Sequence, residues 1–148
     1  MSPPLRAEKD RISLIEGIKN DLIDVIVSDH IPEDEESKRL PFSQAATGSI
    51  GIETLLSLSL ELYHNGSLKL ETIIKALTSN PAKILKINKG NLSVGNDADF
   101  CIVDINKPWI VKQENLISKS KNTSIENKKL QGKVTNTFVK GEELFKLN

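Results

Sequence analysis

The sequence of 148 residues contains one cysteine, one tryptophan and no surplus of either charge. The single cysteine, Cys101, excludes an internal disulfide and fits a reducing compartment, so we expect a cytoplasmic protein. Twenty basic residues balance twenty acidic ones, which argues against nucleic acid or a membrane surface as a partner. No apolar run approaches the roughly 18 residues that span a bilayer. What remains is a globular composition with 38% hydrophobic residues.

The first part of the chain alternates helix and strand patterns. Isoleucines at helical spacing predict a helix over residues 7–20. The β-branched run at residues 23–28 predicts a buried strand, and the charged segment 33–46 is interpreted as an irregular loop. Further helices are predicted over residues 52–63, over residues 68–79, and from Pro81 to about Ile87 with Asn80 as N-cap.

Beyond Gly90 the pattern changes to strands and turns. Apolar runs predict strands at residues 99–104 and 109–111, followed by a polar exposed loop at 118–129 and a terminal hairpin over 134–145. Cys101 is expected to be a small buried hydrophobe in the first of these strands. The change in pattern near residues 87–91 predicts two pieces, residues 1–88 and residues 89–148.

The first piece has only one convincing strand, and one strand cannot form a sheet. Its neighbours must come from sequence outside this chain or from another chain, so the chain is interpreted as the carboxy-terminal part of a larger protein. The alternative is a truncated product with little independent fold, because its lone strand would expose unpaired backbone and apolar faces.

Candidate site residues follow the predicted strand. Asp29 stands where (β/α) barrels keep their active-site groups, and a carboxylate there can hold a metal or move protons. The alternative is that Asp29 caps its own turn. His30 is a second candidate, but His30 and His64 are the only histidines and fall short of a catalytic metal shell of three protein ligands. His64 is expected to have a charge or hydrogen-bond role at the C-terminal end of a helix. Gly48 and Gly51 precede a helix and can let backbone approach a ligand.

The order of motifs along the chain is specific to one family. The motifs are Pro3-Pro4-Leu5-Arg6, Asp24-Val25-Ile26-Val27-Ser28-Asp29-His30, Lys38-Arg39-Leu40-Pro41-Phe42, Gly48-Ser49-Ile50-Gly51-Ile52-Glu53, Asn80-Pro81-Ala82 and Ser120-Lys121-Asn122-Thr123. With them, nearly the whole chain resembles dihydroorotases of the amidohydrolase superfamily. The resemblance implies an α/β fold in which residues 1–88 are the carboxy-terminal part of a (β/α)8 metallo-dependent hydrolase barrel. Residues 89–148 would form part of a small β-sandwich.

The resemblance also implies an activity, namely the reversible hydrolysis of the cyclic amide of dihydroorotate to carbamoyl-aspartate in de novo pyrimidine biosynthesis. In such enzymes a pair of zinc ions activates the attacking water. Asp29 matches the aspartate that binds metal and transfers the proton. Ala46, Thr47 and Gly48 match the loop that binds the substrate through backbone groups.

Three departures from the family pattern bear on activity. The family's other metal ligands, a His-x-His pair, a carboxylated lysine and two further histidines, have no counterpart, so we expect residues 1–148 alone to be inactive. Glu33 replaces a histidine that contacts the substrate carboxylate, and Ser2 replaces an asparagine that contacts substrate. The alternative function is a noncatalytic dihydroorotase homologue that is a structural partner of aspartate transcarbamoylase. Either function needs the missing barrel half or a homo-oligomer as partner.

Overall fold

Helices occupy the first part of the chain and strands the last. The computed structural model describes residue 1 and residues 3–147, so Ser2, one of the predicted substrate contacts, lies outside the described residues. The elements are α1 (Glu8–Lys19), α2 (Glu35–Arg39), α3 (Leu55–His64), α4 (Leu70–Leu77), α5 (Ser79–Ile84), β1 (Phe100–Ile110), a 3-10 turn (Gln113–Asn115), β2 (Lys129–Val139) and β3 (Glu142–Lys146). No helix in this described part has both the length and the apolar composition needed to cross a bilayer.

The predicted strand at residues 23–28 is not formed within the described residues. A strand needs a neighbouring strand for its N–H and C=O groups, and here helical residues take part of that role. The Ile26 N–H donates to the Ala76 carbonyl at 3.1 Å, and the Asp24 carbonyl accepts from Asn80 Nδ2 at 2.9 Å. Asn80 therefore ties this segment to α5, and the prediction that Asn80 is an N-cap was wrong, since Thr78 occupies that position.

A short helix, α2, lies inside the segment predicted to be an irregular loop. It begins after Asp34, whose carboxylate accepts the Ser37 N–H at 2.7 Å. This bond to the backbone holds the pKa of Asp34 below its ordinary value. The cap therefore contributes stability at neutral pH, and the contribution is lost as the pH falls through the lowered pKa.

The three strands form one antiparallel sheet in the order β1-β2-β3. The terminal hairpin is confirmed by β2 and β3, but the two predicted strands before it are one strand, β1, with a register irregularity between Asp104 and Pro108. Cys101, in β1, is exposed, so the expectation that it is buried was wrong. The described strands make a single layer, and every residue of β3 is exposed.

Two hydrophobic cores hold the elements together. One contains Ile15, Leu68 and Ile73 and joins α1 to α4, with Leu62 of α3 packed against it. The other joins α3 and the residues before it to the sheet and the loop after β1; its buried members are Ile50, Val111, Leu116 and Leu130. The second core attaches the carboxy-terminal sheet and the loop after β1 to the helical part.

A buried hydroxyl connects α3 to both neighbouring strands. Ser57 Oγ accepts the Trp109 Nε1–H of β1 at 3.0 Å and donates to the Gly132 carbonyl of β2 at 2.5 Å. Gly132 has φ +99°, and a Cβ on it would lie 2.3 Å from Leu60 Cδ1, so α3 can approach β2 this closely only at a glycine. One side chain thus satisfies an indole donor and a strand carbonyl.

Ser57→Ala is expected to lower the free energy of unfolding by about 1–3 kcal/mol, because it leaves the indole N–H and the Gly132 carbonyl without their partner. Ser59→Ala is the matched control, since Ser59 is equally buried on the same helix but its hydroxyl bonds only to the Leu55 carbonyl one turn earlier. Urea unfolding of the full-length protein followed by circular dichroism measures both variants. Equal losses in the two would show that the Ser57 bonds contribute nothing specific.

Candidate functional site

Two backbone segments run against each other at the centre of the candidate site, residues 28–33 and residues 48–51. The Ile31 N–H donates to the Ser49 carbonyl at 3.0 Å. A Cβ on Gly51 would lie 2.7 Å from the Ser28 carbonyl oxygen, and a Cβ on Gly48, at φ +131°, would lie 2.6 Å from Ile31 Cγ2. Both glycines therefore permit close packing against the chain's own segment 28–31, and the ligand approach considered from the sequence stays a prediction.

Asp29 is exposed and has φ +43°, in the left-handed region that non-glycine residues seldom adopt. A carboxylate that capped its own turn would accept the N–H two residues later. That group is the Ile31 N–H, which donates to Ser49 instead. The structure therefore does not use Asp29 as a turn cap, and it presents the residue at the surface of a cleft.

The cleft has a volume of about 740 Å³ and is lined mainly by apolar groups. Asp29 and Gly48 line it together with the amino-terminal motif at residues 3–6 and parts of α1 and α3. The structure thus brings the candidate carboxylate, one residue of the predicted substrate loop and the first sequence motif to one place. Glu33, Ala46 and Thr47 are not among the residues that line this cleft.

Both histidines have structural partners. His30 Nδ1 accepts the N–H groups of Gly51 at 3.1 Å and Ile52 at 3.4 Å. The neutral ring must then have its proton on Nε2, so Nδ1 is not available to a metal while these bonds are made. His64 is the last residue of α3, and its Nε2 lies 3.0 Å from the carbonyl of Ile105 in β1. This contact confirms the hydrogen-bond role expected of His64. His30, which directly follows Asp29, therefore ties the segment 28–33 to the residues just before α3.

The predicted substrate loop is attached to α2 by Lys38. Its ammonium group donates to the carbonyls of Ala46 at 2.7 Å and Gly48 at 3.1 Å. The Ala46 N–H donates to the Ser37 carbonyl at 3.0 Å, and Thr47 is exposed. These bonds fix the loop on both sides of Thr47. Sequence reasoning assigned no role to Lys38, although it lies in one of the motifs.

Asn122, from the loop before β2, contacts the backbone that follows Asp29 and His30. Its side chain accepts the Glu33 N–H at 3.2 Å and donates to the Ile31 carbonyl at 3.1 Å, and its backbone carbonyl accepts the Ile50 N–H at 3.2 Å. The only signal for this residue in the sequence was its membership of the Ser120–Thr123 motif. The half-buried Glu33 therefore has its backbone held by a residue from the far end of the chain.

Few potential metal ligands lie close together in the part of the chain that the structure describes. Among residues 1 and 3–147, no group of three or more His, Cys, Asp or Glu side chains is placed to hold a metal ion. The residues present therefore do not by themselves fit the zinc pair that the resemblance implies. Asp29 is one exposed carboxylate that can serve as a single ligand.

Comparison with known proteins gives concordant matches. Residues 2–144 match the amidohydrolase family. The chain is 45% identical over 146 residues to a dihydroorotase of Ehrlichia chaffeensis, covering 99% of this chain and 33% of that protein. It is 42% identical over 146 residues to a dihydroorotase of Aquifex aeolicus, covering 99% of this chain and 34% of that protein. The structure of L-hydantoinase from Arthrobacter aurescens superimposes with a TM-score of 0.92 at 31% identity, over 99% of this chain and 34% of that one. The chain thus spans about a third of the length of the relatives it matches.

Proposed function

Because the chain belongs to the amidohydrolase family, we propose that it is the carboxy-terminal part of a dihydroorotase. The reaction is the reversible hydrolysis of the cyclic amide of dihydroorotate to carbamoyl-aspartate, a cytoplasmic step of pyrimidine biosynthesis. The relatives that support this are dihydroorotases 40–45% identical over nearly the whole chain. The observation that carries the proposal is Asp29, an exposed carboxylate in a strained backbone conformation at the cleft lined also by Gly48.

The architecture we propose has two parts. Residues 1–88 are the end of a (β/α)8 barrel, and residues 89–148 are part of a β-sandwich. Large apolar side chains that this chain leaves in water support a larger fold, among them Leu5, 82% exposed, and Val27, 70% exposed. Val27 lies in the segment that the sequence predicts as a strand, and neighbouring strands from the remaining barrel would give that segment its missing partners.

In this proposal Asp29 moves the proton. Its carboxylate accepts a proton from the attacking water and returns it to the ring nitrogen that leaves. Ala46, Thr47 and Gly48 bind the substrate through backbone groups, and Lys38 holds the carbonyls of Ala46 and Gly48 in fixed directions. Zinc, when bound, would supply an activated water, with Asp29 as the ligand from this chain and the other ligands from outside it.

A second candidate is a noncatalytic homologue that stabilises aspartate transcarbamoylase, and Glu33 is the observation that favours it. A carboxylate at that position would repel the carboxylate of the substrate. The replacement of the family's asparagine by Ser2 also favours a noncatalytic homologue. In this case the protein would alter the stability or activity of aspartate transcarbamoylase and would not turn over dihydroorotate.

The experiment that separates the two candidates is an assay of the purified full-length protein with zinc and dihydroorotate. We expect carbamoyl-aspartate to form, and residues 1–148 alone to give none, because this chain supplies only one of the proposed metal ligands. Absence of product from the full-length protein would overturn the dihydroorotase proposal. A shift in the thermal unfolding of added aspartate transcarbamoylase would then support the second candidate.

A further inference from the structure

We infer that Asn122 is a positioning residue that sets the backbone beside Asp29 from a segment some 90 residues further along the chain. The inference rests on the proposed function, since Asp29 is the group whose position it controls. Asn122 does not line the cleft and is not proposed to touch substrate.

The side chain of Asn122 matches the backbone that it meets. It accepts the Glu33 N–H at 3.2 Å and donates to the Ile31 carbonyl at 3.1 Å, so one amide pairs with a donor and an acceptor two residues apart. A carboxylate or a hydrophobic group of the same size cannot make both bonds, because only an amide offers a donor and an acceptor side by side. The amide is half-buried, which limits competition from water.

The segment held by Asn122 begins directly after Asp29 and His30. Ile31 is fixed on both sides, by Ser49 at its N–H and by Asn122 at its carbonyl. Asp29 has a left-handed backbone conformation, and such a conformation persists only where the surrounding structure imposes it. Releasing the Ile31 carbonyl and the Glu33 N–H would let this segment relax and would displace the Asp29 carboxylate.

Asn122 can act in this way because its own loop is held firmly. The Glu53 carboxylate accepts the N–H groups of Ile117 and Ser118, each at 2.9 Å. Lys121 Nζ donates at 2.6 Å to the carbonyl of Leu116, which is a member of the buried core. Through these bonds the loop connects the core that contains Leu116 to the backbone of the site.

The test compares Asn122→Ala and Asn122→Asp with Asn115→Ala in the full-length protein. Asn115 is an exposed asparagine in the same connecting segment and has no part in the site. Hydrogen exchange resolved to single amides is the first readout. In Asn122→Ala we expect the Glu33 amide to exchange about tenfold faster or more, since it loses its acceptor. The Ile50 amide, which bonds to the backbone carbonyl of residue 122, should keep its protection.

Turnover is the second readout. We expect kcat to fall by roughly a hundredfold in Asn122→Ala, the loss that a displacement of about 1 Å in the site can cause, with a smaller change in KM and none in Asn115→Ala. Asn122→Asp keeps an acceptor for the Glu33 N–H but loses the donor to Ile31, so its Glu33 amide should stay protected while kcat still falls. Unchanged Glu33 exchange in Asn122→Ala, or unchanged kcat in both Asn122 variants, would overturn the inference. An inactive wild-type protein would overturn the proposed function, whereas the exchange data would still decide whether Asn122 holds this backbone.

Discussion

Asp29→Asn in the full-length protein is expected to lower kcat for dihydroorotate hydrolysis by roughly a hundredfold to ten-thousandfold, the usual contribution of a general acid-base group. The amide has the size of the carboxylate but cannot take a proton from water and return it to the leaving nitrogen. Because Asp29 is exposed, the substitution should leave the free energy of unfolding nearly unchanged. Steady-state kinetics together with thermal unfolding measure the two quantities.

Asp24→Asn is the matched control for that experiment. Asp24 is an exposed carboxylate on the same segment, and its contact with Asn80 uses the backbone carbonyl, which the substitution keeps. We expect wild-type kcat and KM for this variant. A wild-type kcat in Asp29→Asn would remove Asp29 from the mechanism, and an equal fall in both variants would point to a general effect of lost negative charge.

Gly48→Ala is expected to destabilise the protein by about 2–6 kcal/mol, from two sources of about 1–3 kcal/mol each. The first is backbone strain, because φ +131° lies in a region that residues with a Cβ rarely adopt. The second is a clash, since the new Cβ would lie 2.6 Å from Ile31 Cγ2 and 3.1 Å from the Ile31 carbonyl oxygen. Urea unfolding of the full-length protein measures the loss, and activity should fall with it because Gly48 lines the cleft.

Gly66→Ala is the control that separates the cost of backbone strain from the cost of the clash. Gly66 also has a positive φ, +75°, but a Cβ there would meet nothing within 4 Å. We expect a loss of only about 1–2 kcal/mol, the cost of a left-handed conformation alone. If Gly48→Ala were no more destabilising than Gly66→Ala, close packing against Ile31 would not be what the glycine provides.

Local sequence patterns predicted the elements that depend on neighbours close in the chain. The isoleucine spacing of α1 and the pattern of the terminal hairpin each indicate an element whose hydrogen bonds are made over a few residues. The prediction of a strand at residues 23–28 was wrong because a strand depends on a neighbour distant in the chain. Its apolar, β-branched residues fit a strand, but a strand also needs a partner, and the described part of this chain offers α4 and α5 there instead.

The candidate site was predictable in part. Asp29 was chosen for its place directly after the predicted strand, and the loop at residues 46–48 for its resemblance to the dihydroorotase loop; both stay predictions. Lys38 was missed because a lysine in a charged segment is usually solvated, and only the fold shows its ammonium bonded to two carbonyls of the loop. His30 was considered as a polar group of the site, whereas the structure uses its Nδ1 to hold the backbone at Gly51.

By itself, the sequence determined the balanced charge, the helical and hairpin periodicities and the order of motifs by which the chain resembles dihydroorotases. These are properties of residue type and of spacing over a few positions. Only the tertiary structure decided that Asn122 holds the backbone at Ile31 and Glu33, and that Ser57 joins Trp109 to Gly132. Such contacts join residues 52 to 91 positions apart. They form because the hydrophobic core brings α3, the sheet and the loop before β2 together, which no local sequence pattern specifies.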